Sequence, residues 1–374
     1  MQNRNILYSI ESIPNKSKIA IYGSGKIGLG FGLNVKKIRS DIEISFFINS
    51  FKSGNLSGIP VIKIDDIDKY GNEIDLIIIA SSEWDPIEDL LLKKNIPFFI
   101  ISNELMYNTL EISSLGSFRF NEVVLDTMYD RLNKILSYFD EEDKYLFELL
   151  MQLRLTQDES AVFNFLKTAK HKFAIPYLDY LDKNFDGDVI LEGGVSDGRD
   201  SINFYNYFEN KNLKLFGFEP FIEAFESSPN KEELITRGGQ VLPFALWNED
   251  QLIRFNKNLN SASTSSVVRD FDESGSEKFI EIKGCKIDSF VKENDIKSVC
   301  LFKLDIEGAE LEALIGAREM IAKYKPQLAI SIYHKKEHLY EIPELLKELN
   351  PAYKFKLGFY TPTFIDTVLY AIPV

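Results

Sequence analysis

Short apolar runs alternate with polar, helix-periodic stretches along most of this chain. In the first hundred residues KIAIY, EISFFIN, DLIIIAS (Asp75 to Ser81) and PFFIIS are brief and rich in β-branched and aromatic side chains, which predicts strands. A helix over Pro86 to Lys94 separates the last two. Between residues 106 and 186 the period changes. Val124, Met128, Leu132, Ile135 and Phe139 recur at helical spacing, and DEEDKYLFELLMQL opens a second, acid-capped amphipathic segment, so this stretch reads as a helical connector. Its aromatic stripe, Tyr138, Phe139, Tyr145 and Phe147, reads as packing, and His171 as an ordinary packed or solvent-facing side chain. From Asp188 the strand and helix alternation resumes. DVILEGG, KLFGFEP, QVLPFAL, VCLFKLD and QLAISIYH give five apolar strands with helices between them, a pattern that predicts a doubly wound parallel sheet. The chain ends differently: YKFKLGFY and DTVLYAIPV, separated only by the turn-rich TPTF and Ile365, should pair as an antiparallel hairpin at the sheet edge.

With 374 residues there is room for two cores. We divide the chain into a small Rossmann-like unit of the nucleotide-binding type (1–105), the connector (106–186) and a second α/β domain (187–374). A composition of 45% hydrophobic and 27% charged residues is that of a globular protein, and no apolar run nears the roughly 20 residues that span a bilayer. The first residues, MQNRNILYSIESIPNKSK, lack the apolar stretch and cleavage site of a signal peptide. Two cysteines, Cys285 and Cys300, argue against a disulfide framework or a zinc site and suit a reducing cytoplasm, the expected location. Basic residues number 43 and acidic ones 57, and the resulting charge of −14 repels phosphate backbones, so no nucleic-acid partner is expected.

In KIAIYGSGKIGLGFGLNVKKI the glycines Gly23, Gly25 and Gly28 fit G-x-G-x-x-G, a turn that brings backbone N–H groups to a phosphate. The following strand ends on Asn49, where dinucleotide enzymes place a carboxylate for the ribose. A bound nucleotide and a bare structural turn both remain open. Over residues 17–104 the unit loosely resembles the N-terminal nucleotide-binding domains attached to polysaccharide-modifying enzymes.

The second domain carries more chemistry. Its first strand-to-helix turn holds Glu192, Gly193, Gly194, Asp197 and Gly198; the glycines permit close backbone approach, and the carboxylates would repel a pyrophosphate. A cationic ligand is therefore favoured. Glu219, in GFEP, ends the next strand, where a carboxylate accepts the hydroxyls of a ribose or caps the next helix. KLDIEGAELEALIGA delivers Asp305 and Glu307 from a strand onto a glycine-opened helix, where an open α/β sheet places its reacting groups. His334 stands at the end of the next strand, and His338 reads as a helix-start residue. The polar loop LNSASTSSV (Leu259 to Val267) reads equally as a gate and as a surface loop.

ILEGGVSDG, GFEP, the ALW at Ala245 to Trp247, CKIDSF, KLDIEGAE and the YH…LYEIP run followed by TVLYA together resemble the FkbM family of S-adenosylmethionine-dependent O-methyltransferases over about residues 186–374. One departure is Glu192, where the family commonly has aspartate. The resemblance implies a class I methyltransferase sheet, S-adenosyl-L-methionine as cofactor, and methylation of a hydroxyl on a sugar, nucleotide-sugar or glycan, such as a polysaccharide or lipopolysaccharide precursor. It places the cofactor against Glu192, Gly193, Gly194, Asp197, Gly198, Glu219, Pro220, Ala245, Trp247 and Asp305, with Trp247 near the adenine. Asp305, Glu307 and His334 are the candidate catalytic residues, since a base at a strand end makes the attacking oxygen more nucleophilic. The same three offer a divalent-ion site that would suit magnesium. A homo-oligomer is compatible with the chain. Two other functions stay open: a nicotinamide-dependent oxidoreductase using the first glycine turn, and a non-catalytic glycan-assembly protein keeping the fold as scaffold.

Overall fold

A computed structural model describes residues 5–81, 84–102, 105–106, 122–156, 175–208, 212–256, 266–267, 279–360 and 367–374. His171 and all of LNSASTSSV except its last two residues lie outside them. The chain forms two compact units.

The first unit is a seven-stranded sheet of order β1-β7-β6-β2-β3-β5-β4, numbered along the chain from β1 (Ile6–Leu7), and parallel except for the short edge strand β4 (Gly54–Leu56), which pairs with β5 (Ile59–Lys63). Its centre, β2 (Lys18–Tyr22), β3 (Glu43–Asn49) and β6 (Leu76–Ile79), is apolar almost throughout because helices cover both faces of such a sheet. Helix α1 (Lys26–Ile38) follows the glycine turn and α2 (Asp85–Lys93) precedes β7 (Phe98–Ile101).

The second unit is built on a seven-stranded sheet of order β10-β9-β8-β15-β16-β18-β17. From β10 (Gln240–Leu242) through β9 (Lys214–Phe218), β8 (Val189–Gly193) and β15 (Leu301–Leu304) to β16 (Gln327–Ser331) all neighbours are parallel. The closing hairpin is antiparallel, and β18 (Thr367–Ile372) inserts between β16 and β17 (Lys354–Phe359), leaving β17 at the edge. This is the class I methyltransferase topology, so the fold class expected from the alternation is the one found.

One expected strand is corrected. QVLPFAL is two strands, not one: Gln240–Leu242 lies in the large sheet, whereas β11 (Ala245–Leu246) pairs with β14 (Phe279–Cys285) in a four-stranded sheet. The break falls at Pro243, which has no N–H for a ladder. Before the domain's first strand, α3 (Glu122–Leu136) docks on α11 (His338–Leu349), with the Arg131 guanidinium paired to Glu344 and 3.9 Å above the Tyr340 ring. Phe139 and Phe147 of the aromatic stripe are buried against each other and near Phe355, while Tyr145 faces solvent.

Candidate functional site

The carboxyl ends of β8, β9 and β15 converge on a cavity of about 410 Å3. After β8 the chain turns sharply through Gly194 (φ 78°), whose N–H donates to the Phe218 carbonyl; a Cβ there would lie 1.8 Å from the Asp305 carbonyl oxygen. Only glycine lets the turn pack this closely on the end of β15. Gly198 (φ 79°) then opens α5 (Arg199–Tyr207).

Carboxylates dominate the walls. Asp197, Asp200, Glu219, Asp305 and Glu307 line the cavity against two cations, Lys303 and Arg199. Glu219 follows β9, and its two oxygens accept the N–H groups of Phe221 (3.0 Å) and Ser196 (3.1 Å). Burial raises its carboxyl pKa while those N–H groups pull it down. A carboxylate offers about four acceptor positions, more than these N–H groups use. Burial likewise raises Asp200.

Beneath this wall lies an ion pair, closed off from solvent. Glu192 is fully buried at the end of β8, and Lys303, in the middle of β15, is 1% exposed, with its ammonium 3.5 Å from Glu192 and 2.6 Å from the Gly194 carbonyl. Ser201 donates its hydroxyl to the other Glu192 oxygen. Burial pushes the Glu192 carboxyl up to about 7 despite Lys303. The same burial would lower Lys303, but Glu192, Asp200 and Asp305 hold it above its ordinary value.

At the far end Asp305 accepts hydrogen bonds from two phenols, Tyr177 at 2.9 Å and Tyr333 at 3.3 Å, and the Tyr177 hydroxyl also lies 3.2 Å from the Ser331 hydroxyl. Glu307 sits in left-handed backbone (φ 54°), a conformation that costs a non-glycine residue about 1 to 3 kcal/mol and gathers at functional sites. The neighbouring Glu310, fully buried, fixes it there by accepting the N–H groups on either side, Ile306 at 2.9 Å and Gly308 at 3.3 Å. His334, with a side chain 6% exposed, faces three carboxylates: Nδ1 is 2.8 Å from Glu310, and Nε2 is 3.6 Å from both Asp305 and Glu307. None of these contacts is aligned as a hydrogen bond. Burial would lower the ring's pKa, but the carboxylates raise it to about 9. Burial pushes Glu307 up to about 8, with His334 opposing. His338, buried, stands 3.2 Å from the second Glu310 oxygen. Burial opposes ionisation of Glu310, yet the two facing histidines hold its carboxyl well below the usual range.

The sequence-based residues therefore separate. Gly194, Asp197, Glu219, Pro220, Ala245, Asp305 and Glu307 share the cavity wall. Glu192, Gly193, Gly198, Trp247 and His334 stand behind it, and Trp247 packs with Phe221, Ile253 and Ile282 in an apolar cluster. Lys303, Asp200, Tyr177, Tyr333 and Glu310 join the site without having been singled out. Among the described residues, an oxygen of Asp305, one of Glu310 and a nitrogen of His334 fall within 4.8 Å of one another. Magnesium takes near-octahedral oxygen coordination; the imidazole does not suit it, so these donors do not support that ion.

In the first unit the glycine turn packs closely against its own backbone. A Cβ on Gly28 would meet the Gly23 carbonyl oxygen at 1.7 Å, and one on Gly23 (φ 117°) the Ala80 carbonyl oxygen at 2.3 Å. Asn49 donates to the Ser24 hydroxyl at 2.8 Å and accepts the N–H groups of Phe51 and Lys52. These contacts account for the two glycines and for Asn49 without a ligand.

Residues 192–358 match the methyltransferase FkbM domain model. Among solved structures the chain is similar to a methyltransferase FkbM from Methylobacillus flagellatus KT, at 17% identity and a TM-score of 0.55, over 96% of this chain and 90% of that one. That likeness concerns the fold. A putative rRNA-methylase from Clostridium thermocellum matches at 14% identity over 51% of this chain and 89% of its own, with a TM-score of 0.29 too low to argue from. No curated protein matches the chain. No helix of the described residues is long and apolar enough to cross a membrane.

Proposed function

Residues 192–358 form a methyltransferase FkbM domain, and from that premise we propose that the chain transfers a methyl group from S-adenosyl-L-methionine to a hydroxyl of a sugar, nucleotide-sugar or glycan. The observation that carries the cofactor is the charge of the cavity: five carboxylates against Lys303 and Arg199 suit a sulfonium cation and disfavour the pyrophosphate of a nicotinamide dinucleotide. Its volume of about 410 Å3 lies within the roughly 300 to 1,000 Å3 of small-molecule sites. The cofactor supplies an electrophilic methyl group; the chain's residues bind and align. Glu219 takes the ribose hydroxyls on its remaining acceptor positions, with Phe221, Ala245 and Leu246 giving an apolar wall. Asp305, held by two phenols, and Glu307 orient the acceptor hydroxyl and receive its proton. In this reading residues 1–105 recognise the acceptor, 106–186 connect, and 187–374 carry transfer in the cytoplasm.

Calorimetry tests the cofactor. S-adenosylmethionine should bind and NADH should not, and Glu219→Ala should weaken binding by about a hundredfold, since two hydrogen bonds to a charged group are worth roughly 1.5 kcal/mol or more each. NADH binding would turn the reading to an oxidoreductase, and binding of neither to a scaffold. Transfer of labelled methyl groups into hydroxylated sugars tests the reaction. There Asp305→Asn should lower kcat by about 10² or more at nearly unchanged cofactor affinity; near-normal turnover would remove Asp305 from the chemistry.

A further inference from the structure

We propose that Tyr177 is a positioning residue for methyl transfer: its phenol fixes the Asp305 carboxylate from behind the cavity, so the stretch read as a connector supplies part of the reacting site. This role rests on the methyl-transfer reading, and it reaches past the family domain, since Tyr177 lies before residues 192–358. The Tyr177 hydroxyl donates to Oδ2 of Asp305 at 2.9 Å. A phenol has a single O–H, so the Ser331 hydroxyl, 3.2 Å away, is the donor to the phenol oxygen. A chain of hydrogen bonds thus runs from Ser331 at the end of β16 through Tyr177 to Asp305, and each bond in such a chain strengthens the next.

The two carboxylate oxygens have different neighbours. Tyr177 is buried and stands behind the cavity wall, whereas Tyr333, which lines the cavity, reaches Oδ1 at 3.3 Å. An acceptor hydroxyl can compete with Tyr333 for Oδ1 while Tyr177 keeps hold of Oδ2. The carboxylate then cannot turn away from the hydroxyl it receives, and alignment is most of what an in-line displacement asks of the protein. The backbone points the same way. Tyr177 is left-handed (φ 69°), which is rare for a bulky side chain and persists only where the surroundings hold it. Here they do. Leu178 and Leu181 are buried in the same apolar cluster as Tyr177, and the Lys303 ammonium stands 4.9 Å from the centre of the Tyr177 ring. The Asp182 main chain exchanges two hydrogen bonds with the Gln327 side-chain amide, at 2.6 and 3.0 Å. The one polar side-chain atom that this placement delivers is the hydroxyl on Asp305.

Tyr177→Phe in the full chain is the test, because phenylalanine keeps the ring beneath Lys303 and removes only the hydroxyl. In transfer of labelled methyl groups kcat should fall by about 10- to 100-fold, the worth of one hydrogen bond to a charged group, with S-adenosylmethionine affinity by calorimetry within about threefold. In an Asp305→Ala chain the same substitution should change kcat by less than about twofold, since a residue that acts through Asp305 has nothing left to hold. A merely structural role would lower both backgrounds alike. Urea unfolding gives a readout without turnover: Tyr177→Phe should lower the midpoint of the wild-type chain and leave that of Asp305→Ala in place. Unchanged kcat in Tyr177→Phe overturns the proposal, as does an equal loss in both backgrounds or a loss confined to cofactor affinity. Normal wild-type transfer with Tyr177 and Asp305 uncoupled would sink this inference alone. A wild-type chain that transfers no methyl group would overturn the methyl-transfer reading and this role with it, while the urea measurements would still register the Tyr177 to Asp305 bond.

Discussion

Lys303→Met should destabilise the protein by about 3 to 5 kcal/mol, the usual consequence of stranding a buried charge by removing its partner. The methionine fills nearly the same space, so the loss is electrostatic. It leaves Glu192, fully buried, facing only the Ser201 hydroxyl, and it frees the Gly194 carbonyl from its 2.6 Å donor. Glu192→Gln in the same chain should recover much of the loss, since removing both charges of a buried pair costs far less than removing one. The pH dependence has a definite sign. Burial holds the Glu192 carboxyl at about 7, above its ordinary 4.5, so the folded state binds the extra proton between those values and this group favours folding more as pH falls. Without Lys303 the carboxyl rises further. The deficit of Lys303→Met should therefore shrink on going from about pH 8 to pH 5. Denaturant titrations at both pH values measure it. A deficit under about 1 kcal/mol at the higher pH, or one that grows on acidification, would show that Glu192 is not a stranded charge.

Lys303 also marks where sequence reading stopped short. In VCLFKLD it is one polar residue in an apolar strand, and lysine is almost never fully buried without a partner. That was a legible signal for a carboxylate nearby. The partner is Glu192, 111 residues earlier and one strand over, and nothing in the local pattern names it. Tyr177 is harder still. It meets Asp305 across 128 positions and from a turn outside the regular strands. Locally, Glu310 in KLDIEGAE is only an acid in a first helical turn; its role in fixing Ile306 and Gly308 around Glu307 is a matter of three-dimensional packing. By contrast Asp305, Glu307 and Glu219 were legible because they follow closely on strand ends, and strand ends follow directly from hydrophobic run lengths.

The fold divides along the same line. Run length and composition locate the strands of the large sheet in chain order, and the short gap between the last two predicts their antiparallel pairing. Lateral order is a long-range property. That β18 inserts between β16 and β17, and that β11 leaves the large sheet for β14, depends on pairings which periodicity does not carry. Pro243 was the one local clue to the second of these, and it lay within the predicted strand.

Gly194→Ala should be the most damaging small change in the second unit, costing on the order of 4 kcal/mol or more and abolishing cofactor binding. Two effects combine at this position. The backbone is left-handed (φ 78°), which alone costs an L side chain about 1 to 2 kcal/mol. The added methyl would also fall 1.8 Å from the Asp305 carbonyl oxygen and 2.9 Å from its carbon, and this is main chain at the end of a central strand, with little freedom to move. Relief would require the turn after β8 to move off the end of β15, where Asp305 stands. Two other glycines separate the effects. Gly238→Ala meets the backbone penalty alone, since at φ 91° nothing lies within 4 Å of the new methyl. Gly193→Ala meets only side-chain tips, Leu304 at 2.8 Å and Leu246 at 2.9 Å, which can shift. The expected order of destabilisation is Gly194→Ala well above Gly193→Ala and Gly238→Ala, read from urea midpoints, with S-adenosylmethionine affinity lost in the first and retained in Gly238→Ala. A Gly194→Ala protein as stable as Gly238→Ala and still binding the cofactor would mean that the turn after β8 yields, and that close packing of Gly194 against Asp305 does not hold the site together.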